Sequence, residues 1–115
     1  MNNPARFESI VLPTDVKKIE IKKDDTKPNT ALFKIEREDH TVGQLLVAKL
    51  QKEKSVTYAG YKCPHPLEHY FELRISTNGE QSAVEVFQSV LTSILTELKN
   101  FKEKFTTECQ NKRIL

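Results

Sequence analysis

The residues best suited to chemistry in this chain lie in one short stretch bounded by prolines. Cys63, His65 and His69 carry side chains that bind zinc, but a structural zinc site normally takes four ligands, often in close pairs. This stretch supplies three at most, and Pro64 and Pro66 restrict the backbone between them. We therefore expect a rigid turn with exposed or hydrogen-bonded imidazoles, and neither a metal site nor a cofactor.

Signatures of catalysis are equally weak. No histidine belongs to a nucleophile motif such as Gly-x-Ser-x-Gly, and the isolated Gly43, Gly60 and Gly79 cannot form a loop that cradles phosphate. Asp39 and His40 could pair as orienting residue and base. Directly before a helix, however, the Asp39 carboxylate is better placed to stabilise the positive end of the helix dipole. The sequence predicts no catalytic residue.

Composition limits the class of protein further. The 18 basic residues are nearly balanced by 16 acidic ones over 115 residues, which does not indicate direct nucleic-acid binding. No apolar run approaches the roughly 20 residues needed to span a membrane. Two cysteines are too few for a disulfide scaffold, which favours a reducing compartment, the cytosol or the nucleus. We expect a single domain over 1–115, with 1–15 as an N-terminal extension.

Hydrophobic periodicity and turn residues predict the element order ββαββα. Strands are predicted over 18–22, 31–36, 56–61 and 71–76, and a first helix over 41–53. The first two strands should form a hairpin. The natural layout is an α+β fold, a four-stranded antiparallel sheet covered on one face by two helices. The helix over 41–53 is expected to open with a capping box that begins at Thr41.

The last predicted element, a helix over 82–112, is longer than the domain needs. At about 1.5 Å per residue it measures roughly 45 Å, against a radius of gyration near 13 Å for a compact domain of about this size. Ser82 and Glu85 form a capping box at its start. The helix should therefore overhang the core. Its apolar positions are spaced alternately three and four apart, and we call them the seam: Val84, Phe87, Leu91, Ile94, Leu98, Phe101 and Phe105.

The seam differs along its length. Before Leu95, apolar residues cover more than half of the helix circumference, which indicates burial by the sheet and by a partner. Beyond it, only the last three seam residues and Cys109 remain among charged ones, which indicates contact with a partner alone. One alternative is an amphipathic helix that covers only its own sheet. Another is a homodimeric zipper, which the bulky phenylalanines and the flanking Lys102 and Lys104 fit poorly.

Energetics extends the predicted interface to the first helix. Each large apolar side chain contributes roughly 1.5–3 kcal/mol when buried. The six seam residues from Phe87 through Phe105 therefore provide on the order of 10–15 kcal/mol. Association costs about 4–15 kcal/mol. The seam alone is therefore marginal, and Leu45, Leu46 and Leu50 are predicted to join it, with the alternative that some of them face the sheet. Gly43, in the first turn of that helix, could allow another backbone to approach closely.

Two stretches resemble the small alpha-like subunits of RNA polymerases, the family that includes archaeal subunit L. Residues 38–46, EDHTVGQLL, resemble the pattern E-D-H-T-L-G-N-L-L, with departures only at Val42 and Gln44. Residues 59–67, AGYKCPHPL, match A-G-Y-K-x-P-H-P-L. Shorter matches at 6–8, 27–29 and 73–77 resemble the form found in nuclear RNA polymerase II. The motif residues are Glu38, Asp39, His40, Thr41, Gly43, Gly60, Tyr61, Lys62, Pro64, His65 and Pro66.

The resemblance implies a non-catalytic assembly subunit of a DNA-directed RNA polymerase in the nucleus. Family members pair obligately with a larger alpha-like subunit through both helices, and the heterodimer anchors the large catalytic subunits beside other small subunits. Two alternatives stay open. One is the equivalent subunit shared by RNA polymerases I and III. The other is a homodimeric enzyme with a similar layout, such as a pterin dehydratase, which would need histidines clustered in a pocket.

Overall fold

The computed structural model describes residues 11–12, 14–24 and 26–112, so most of the predicted N-terminal extension lies outside the described residues. The predicted order ββαββα is confirmed. The elements are β1 (Ile19–Lys23), β2 (Thr30–Glu36), α1 (His40–Leu50), β3 (Val56–Lys62), β4 (Tyr70–Thr77) and α2 (Ala83–Asn111). None of the described helices combines the length and apolar content needed to cross a membrane.

The four strands form one antiparallel sheet in the order β1-β2-β4-β3. The predicted hairpin is confirmed, since Ile19 pairs with Ile35 and Ile21 with Phe33. Successive side chains of a strand point to opposite faces. In β4, Phe71 and Leu73 are fully buried on the helix side, whereas Glu72 between them faces the other side of the sheet. The predicted α+β layout is therefore confirmed.

The core lies between the sheet and the two helices. The Phe33 ring of β2 stacks on the Phe87 ring of α2, with ring centroids 4.5 Å apart. From α1, Leu46 and Leu50 enter the same cluster. Helix α1 packs mainly on β3 and on α2, while α2 also contacts β2 and β4. The apolar stripe of each helix therefore faces one continuous core.

The starts of the two helices show how local sequence sets their bounds. At α2, the prediction for Ser82 is confirmed, because its hydroxyl accepts a hydrogen bond of 3.2 Å from the Glu85 N–H. At α1, the predicted cap at Thr41 is wrong. Asp39 is the N-cap, and its carboxylate accepts from the Thr41 N–H at 3.0 Å. The helix therefore begins one residue earlier than predicted, at His40.

Helix α2 continues well past the core. Its 29 residues measure roughly 43 Å at about 1.5 Å per residue. Ile94 is the last residue of α2 in the core cluster of the described residues. Near the helix end Cys109 is also buried, outside that cluster. More than half of α2 therefore extends beyond the sheet that supports its first half.

Candidate partner-binding surface

Large apolar side chains are exposed on α2 beyond Ile94. Leu95, Leu98, Phe101 and Phe105 are 67%, 56%, 70% and 59% exposed, and we call these four residues the distal patch. A row of uncovered leucines and phenylalanines on one helix is typical of a protein-binding surface. The patch includes the last three seam residues. It also includes Leu95, which the sequence placed in the widely apolar first half of the helix and which was not among the predicted interface residues.

Two aromatic rings of the distal patch lie side by side and nearly parallel. Phe101 and Phe105 are four residues apart, and their ring centroids lie 6.4 Å apart with the ring planes at 14°. Residues at this spacing are neighbours on a helix surface. The two rings therefore present one continuous aromatic surface on the same side of the helix.

Four of the predicted interface residues belong to the core of the chain itself. Leu46 and Leu50 of α1 are 2% and 0% exposed, and Phe87 and Ile94 of α2 are also buried. For Leu46 and Leu50 this agrees with the alternative that they face the sheet, and contact of any of the four with a partner stays a prediction. They are buried because α1 and the first half of α2 turn these positions toward the sheet. Leu45, on the flank of α1, is 40% exposed.

The remaining predicted interface residue, Leu91, lies between these extremes. It is half-buried and packs against the edge of the core, as Val84 does one helical repeat earlier. The surface that the structure leaves open to a partner therefore consists of the distal patch, Leu45 and part of Leu91. Their place in an interface stays a prediction.

An ion pair joins the two helices where α2 leaves the core. The Lys49 ammonium lies 2.6 Å from both carboxylate oxygens of Glu97. Lys49 is in the last turn of α1, and Glu97 follows Ile94 by less than one turn. Because the pair is partly solvated, its contribution to stability is about 1 kcal/mol or less. Its position nevertheless ties the base of the distal patch to α1.

The two motif stretches meet at the Tyr61 ring. A Cβ atom at Gly43 of α1 would lie 2.7 Å from Tyr61 Cδ2, which is closer than real Cβ atoms approach. The Tyr61 hydroxyl lies 2.9 Å from His40 Nδ1, and its ring packs edge-on against Phe71. We call Gly43, His40 and Tyr61 the motif joint. The close approach predicted at Gly43 is therefore made by an aromatic ring, and the prediction of another backbone is wrong.

Other motif residues fix the chain on either side of this joint. Asp39 caps α1, and the preceding Glu38 accepts a hydrogen bond of 2.9 Å from the Lys18 ammonium. Arg37 takes a positive φ of 57°, a left-handed turn between β2 and the motif. Such a conformation is uncommon outside glycine and asparagine. These contacts position the start of α1 against the sheet.

The proline-bounded turn after β3 does not assemble a metal site among the described residues. Cys63 packs partly against the core. His65 is exposed, with its ring centroid 6.1 Å from that of Tyr70. The Nε2 atom of His69 is buried without a hydrogen-bond partner among the described atoms. The contacts of Cys63 with the core and of His65 with Tyr70 hold this turn against the start of β4.

Residues 30–104, which include the motif joint and most of the distal patch, match the RNA polymerase Rpb3/Rpb11 dimerisation domain. The chain belongs to this family. The predicted resemblance to alpha-like polymerase subunits is thereby confirmed. The matched range runs from β2 into the overhanging part of α2, so the overhang as far as residue 104 lies within the dimerisation domain.

Curated relatives extend the match over nearly the whole chain. The DNA-directed RNA polymerase II subunit rpb11 of Dictyostelium discoideum is 38% identical over 98% of this chain and 94% of its own length. The DNA-directed RNA polymerase II subunit RPB11 of Schizosaccharomyces pombe is 38% identical over 99% of this chain and 92% of its own length. The family match therefore does not rest on the two motifs alone.

A solved structure shares the fold. The crystal structure of DNA-directed RNA polymerase subunit L from Thermoplasma acidophilum aligns with a TM-score of 0.67, covering 83% of this chain and 93% of that one. At 15% identity, this similarity shows the fold alone. The two chains thus share a fold with few identical residues.

Proposed function

We propose that this chain is a non-catalytic assembly subunit of nuclear DNA-directed RNA polymerase II, which pairs with a larger alpha-like subunit in an obligate heterodimer. The observation that carries the proposal is the distal patch, an apolar surface on a helix that extends past its own core. The family match to a dimerisation domain and the relatives named as RNA polymerase II subunits support the polymerase and the nucleus.

The energetics of the patch favour a shared interface over a single-helix contact. Its four side chains have between 56% and 70% of their surface left to bury, which contributes about 1–2 kcal/mol each and roughly 4–8 kcal/mol in total. Association costs about 4–15 kcal/mol. The patch alone is insufficient, so Leu45 of α1 and apolar groups of comparable number on the partner must contribute. Both helices therefore contact the partner.

In this role the chain acts by shape and apolar packing. The whole chain, 1–115, serves as one dimerisation domain, and the heterodimer supports the large catalytic subunits together with other small assembly subunits. RNA synthesis is then a property of the assembled enzyme. The chain contributes no catalytic residue, cofactor, membrane contact or direct nucleic-acid contact of its own. The apolar character of its candidate surface supports a role in binding other subunits and not in catalysis.

Coexpression tests the proposal directly. The chain is expressed alone and together with the larger alpha-like subunit, and molar mass is measured by light scattering during gel filtration. We expect a one-to-one complex with the larger subunit, and poor recovery of the chain alone. A stable monomer that ignores the larger subunit would overturn the proposal, and a stable homodimer would favour a homodimeric protein. Recovery of the large subunits of polymerases I or III from nuclei, in place of those of polymerase II, would reassign the enzyme.

A further inference from the structure

The two edges of the sheet are protected very differently. Strand β1 carries Glu20, Lys22 and Lys23 among its five residues, and charged side chains on an edge discourage pairing with another strand. Strand β3, VTYAGYK, carries a single charge, on its last residue Lys62. Within the part of the chain that the structure describes, β3 is the outermost strand on its side. One edge of the sheet is therefore protected and the other is open.

Hydrogen bonding in β4 shows which way the backbone of β3 faces. The Thr77 N–H of β4 donates to the Asn29 carbonyl on the β2 side, at 2.9 Å. Because the backbone groups of successive residues in an antiparallel strand point to alternate sides, the even-numbered residues of β4 face β3. The register pairs Arg74 with Gly60. Even-numbered residues of β3 therefore bond inward to β4.

The odd-numbered residues of β3 consequently face outward. Ala59 and Tyr61 direct two N–H groups and two carbonyls away from the sheet, in the spacing of an antiparallel or parallel ladder. A register irregularity lies at the start of the strand, between Val56 and Tyr58. The segment from Tyr58 to Lys62 is regular beyond it. This length of regular edge suffices to bond an added strand.

A row of charges on the open face of the sheet ends at this edge. Cross-strand neighbours Glu20, Lys34, Glu72 and Lys62 run through all four strands in the order β1-β2-β4-β3. Their charges alternate from negative to positive, and opposite charges on neighbouring strands stabilise pairing. The sequence of signs stops at the positive Lys62. An acidic residue on a further strand beside Lys62 would continue this alternation.

The open face beside β3 also has room for a side chain. A cleft of about 370 Å³ lies there, with Tyr58, Lys62 and Arg74 in its lining. Gly60 leaves the space that the Tyr58 ring leans into, since a Cβ atom at Gly60 would lie 2.6 Å from the Tyr58 hydroxyl. Tyr58 itself is 55% exposed. A side chain from an added strand would pack against this ring.

We propose that the outer edge of β3 accepts an extended segment of a polymerase subunit other than the dimerisation partner, with an acidic residue of that segment beside Lys62. The proposal rests on the proposed function, because it places the chain inside an assembled polymerase. The surface proposed for the dimerisation partner consists of the distal patch and Leu45 on the helices and includes no residue of β3. Strand addition supplies affinity through backbone bonds to Ala59 and Tyr61 and selectivity through the charge beside Lys62.

Hydrogen–deuterium exchange at single-residue resolution tests the added strand. The heterodimer alone is compared with the complete polymerase, purified through a tag on the larger alpha-like subunit. We expect the Ala59 and Tyr61 amides to exchange rapidly in the heterodimer and at least roughly tenfold more slowly in the polymerase. The Gly60 and Lys62 amides, which bond to β4, should be slow in both and serve as the internal control.

The outcomes separate the two proposals. Absence of the chain from the purified polymerase would overturn both. Its presence with unchanged exchange at Ala59 and Tyr61 would overturn the added strand alone, as would full protection of these amides already in the heterodimer. A charge reversal adds a second readout. Lys62→Glu should cancel most of the roughly tenfold protection of the Ala59 amide in the polymerase, whereas Lys22→Glu on the opposite edge should leave it intact. Equal protection in the two variants would overturn the proposed acidic contact.

Discussion

The sharpest perturbation of the candidate interface is Phe101→Asp. Phe101 is the most exposed residue of the distal patch, at 70%, so its replacement removes little from the core of the chain. Completing the burial of its ring contributes about 2 kcal/mol, and losing that contribution weakens binding roughly 30-fold. A carboxylate facing an apolar partner surface adds a desolvation cost of several kcal/mol. Phe101→Ala should therefore weaken the heterodimer measurably, and Phe101→Asp should abolish it at micromolar concentrations.

The assay must separate lost binding from lost folding. Titration calorimetry or gel filtration with the larger alpha-like subunit reports the affinity, and circular dichroism reports the fold. Leu67→Asp is the matched control, because Leu67 is 51% exposed on the proline-bounded turn and lies far along the chain from the distal patch. It should bind with unchanged affinity. If Phe101→Asp binds within about threefold of the unmodified chain, the distal patch is not the dimer interface.

Three further predictions concern the elements that support this surface. Gly43→Ala should lower the free energy of unfolding of the heterodimer by about 1–3 kcal/mol, because its Cβ meets the Tyr61 ring. In a Tyr61→Ala background the same change should instead stabilise by about 1 kcal/mol through helix propensity; equal effects in both backgrounds would refute the contact. Asp39→Ala should cost about 1 kcal/mol in denaturant unfolding and Asp39→Asn much less, since asparagine also caps helices; equal losses would contradict the cap.

The third of these is a pH dependence. The Thr26 hydroxyl donates to Asp24 and holds the pKa of that carboxyl below its ordinary 3.8. Because this pKa is lower in the folded than in the unfolded state, the ionised Asp24 carboxylate stabilises the folded chain above pH 3.8. This contribution to the free energy of unfolding is lost as the pH falls through the folded-state pKa. Carbon-detected NMR titration of Asp24 checks this, and Thr26→Ala should move the pKa back toward 3.8. An unchanged midpoint in that variant would show that Thr26 is not the cause.

Much of the fold follows from local sequence. The alternation of β2 and β4 and the 3.6-residue stripes of the helices identify each element because burial on one face imposes a period. The cap at Ser82 and the absence of Gly or Pro after it determine α2 almost to the residue. These signals depend on only a few neighbouring residues, so they can be recognised from the sequence alone. At α1 both Asp39 and Thr41 are good caps, and the sequence cannot rank them.

The interface was harder to predict because it depends on how helices rotate over the sheet. The apolar residues of α1 occupy more than one face, and nothing local shows that Leu46 and Leu50 point to the core while Leu45 points away. The same holds for Phe87 on α2. A small residue at Gly43 signals close approach, but only the tertiary structure shows that Tyr61 makes it. The rotation of each helix about its axis and the identity of a partner depend on contacts between distant parts of the chain or between chains. The spacing of apolar residues along one helix therefore does not predict them.

The motif joint connects the two surfaces proposed for partners. The Tyr61 side chain packs α1 onto β3, while the backbone of the same residue faces the open edge. Helix α1 in turn carries Lys49, whose bond to Glu97 holds α2 at the base of the distal patch. Since packed interiors resist small displacements, a shift of α1 would move both surfaces together. The proposed role of such a joint is geometric: it would keep the distal patch and the outer edge of β3 at a constant separation, which a subunit that joins several chains would require.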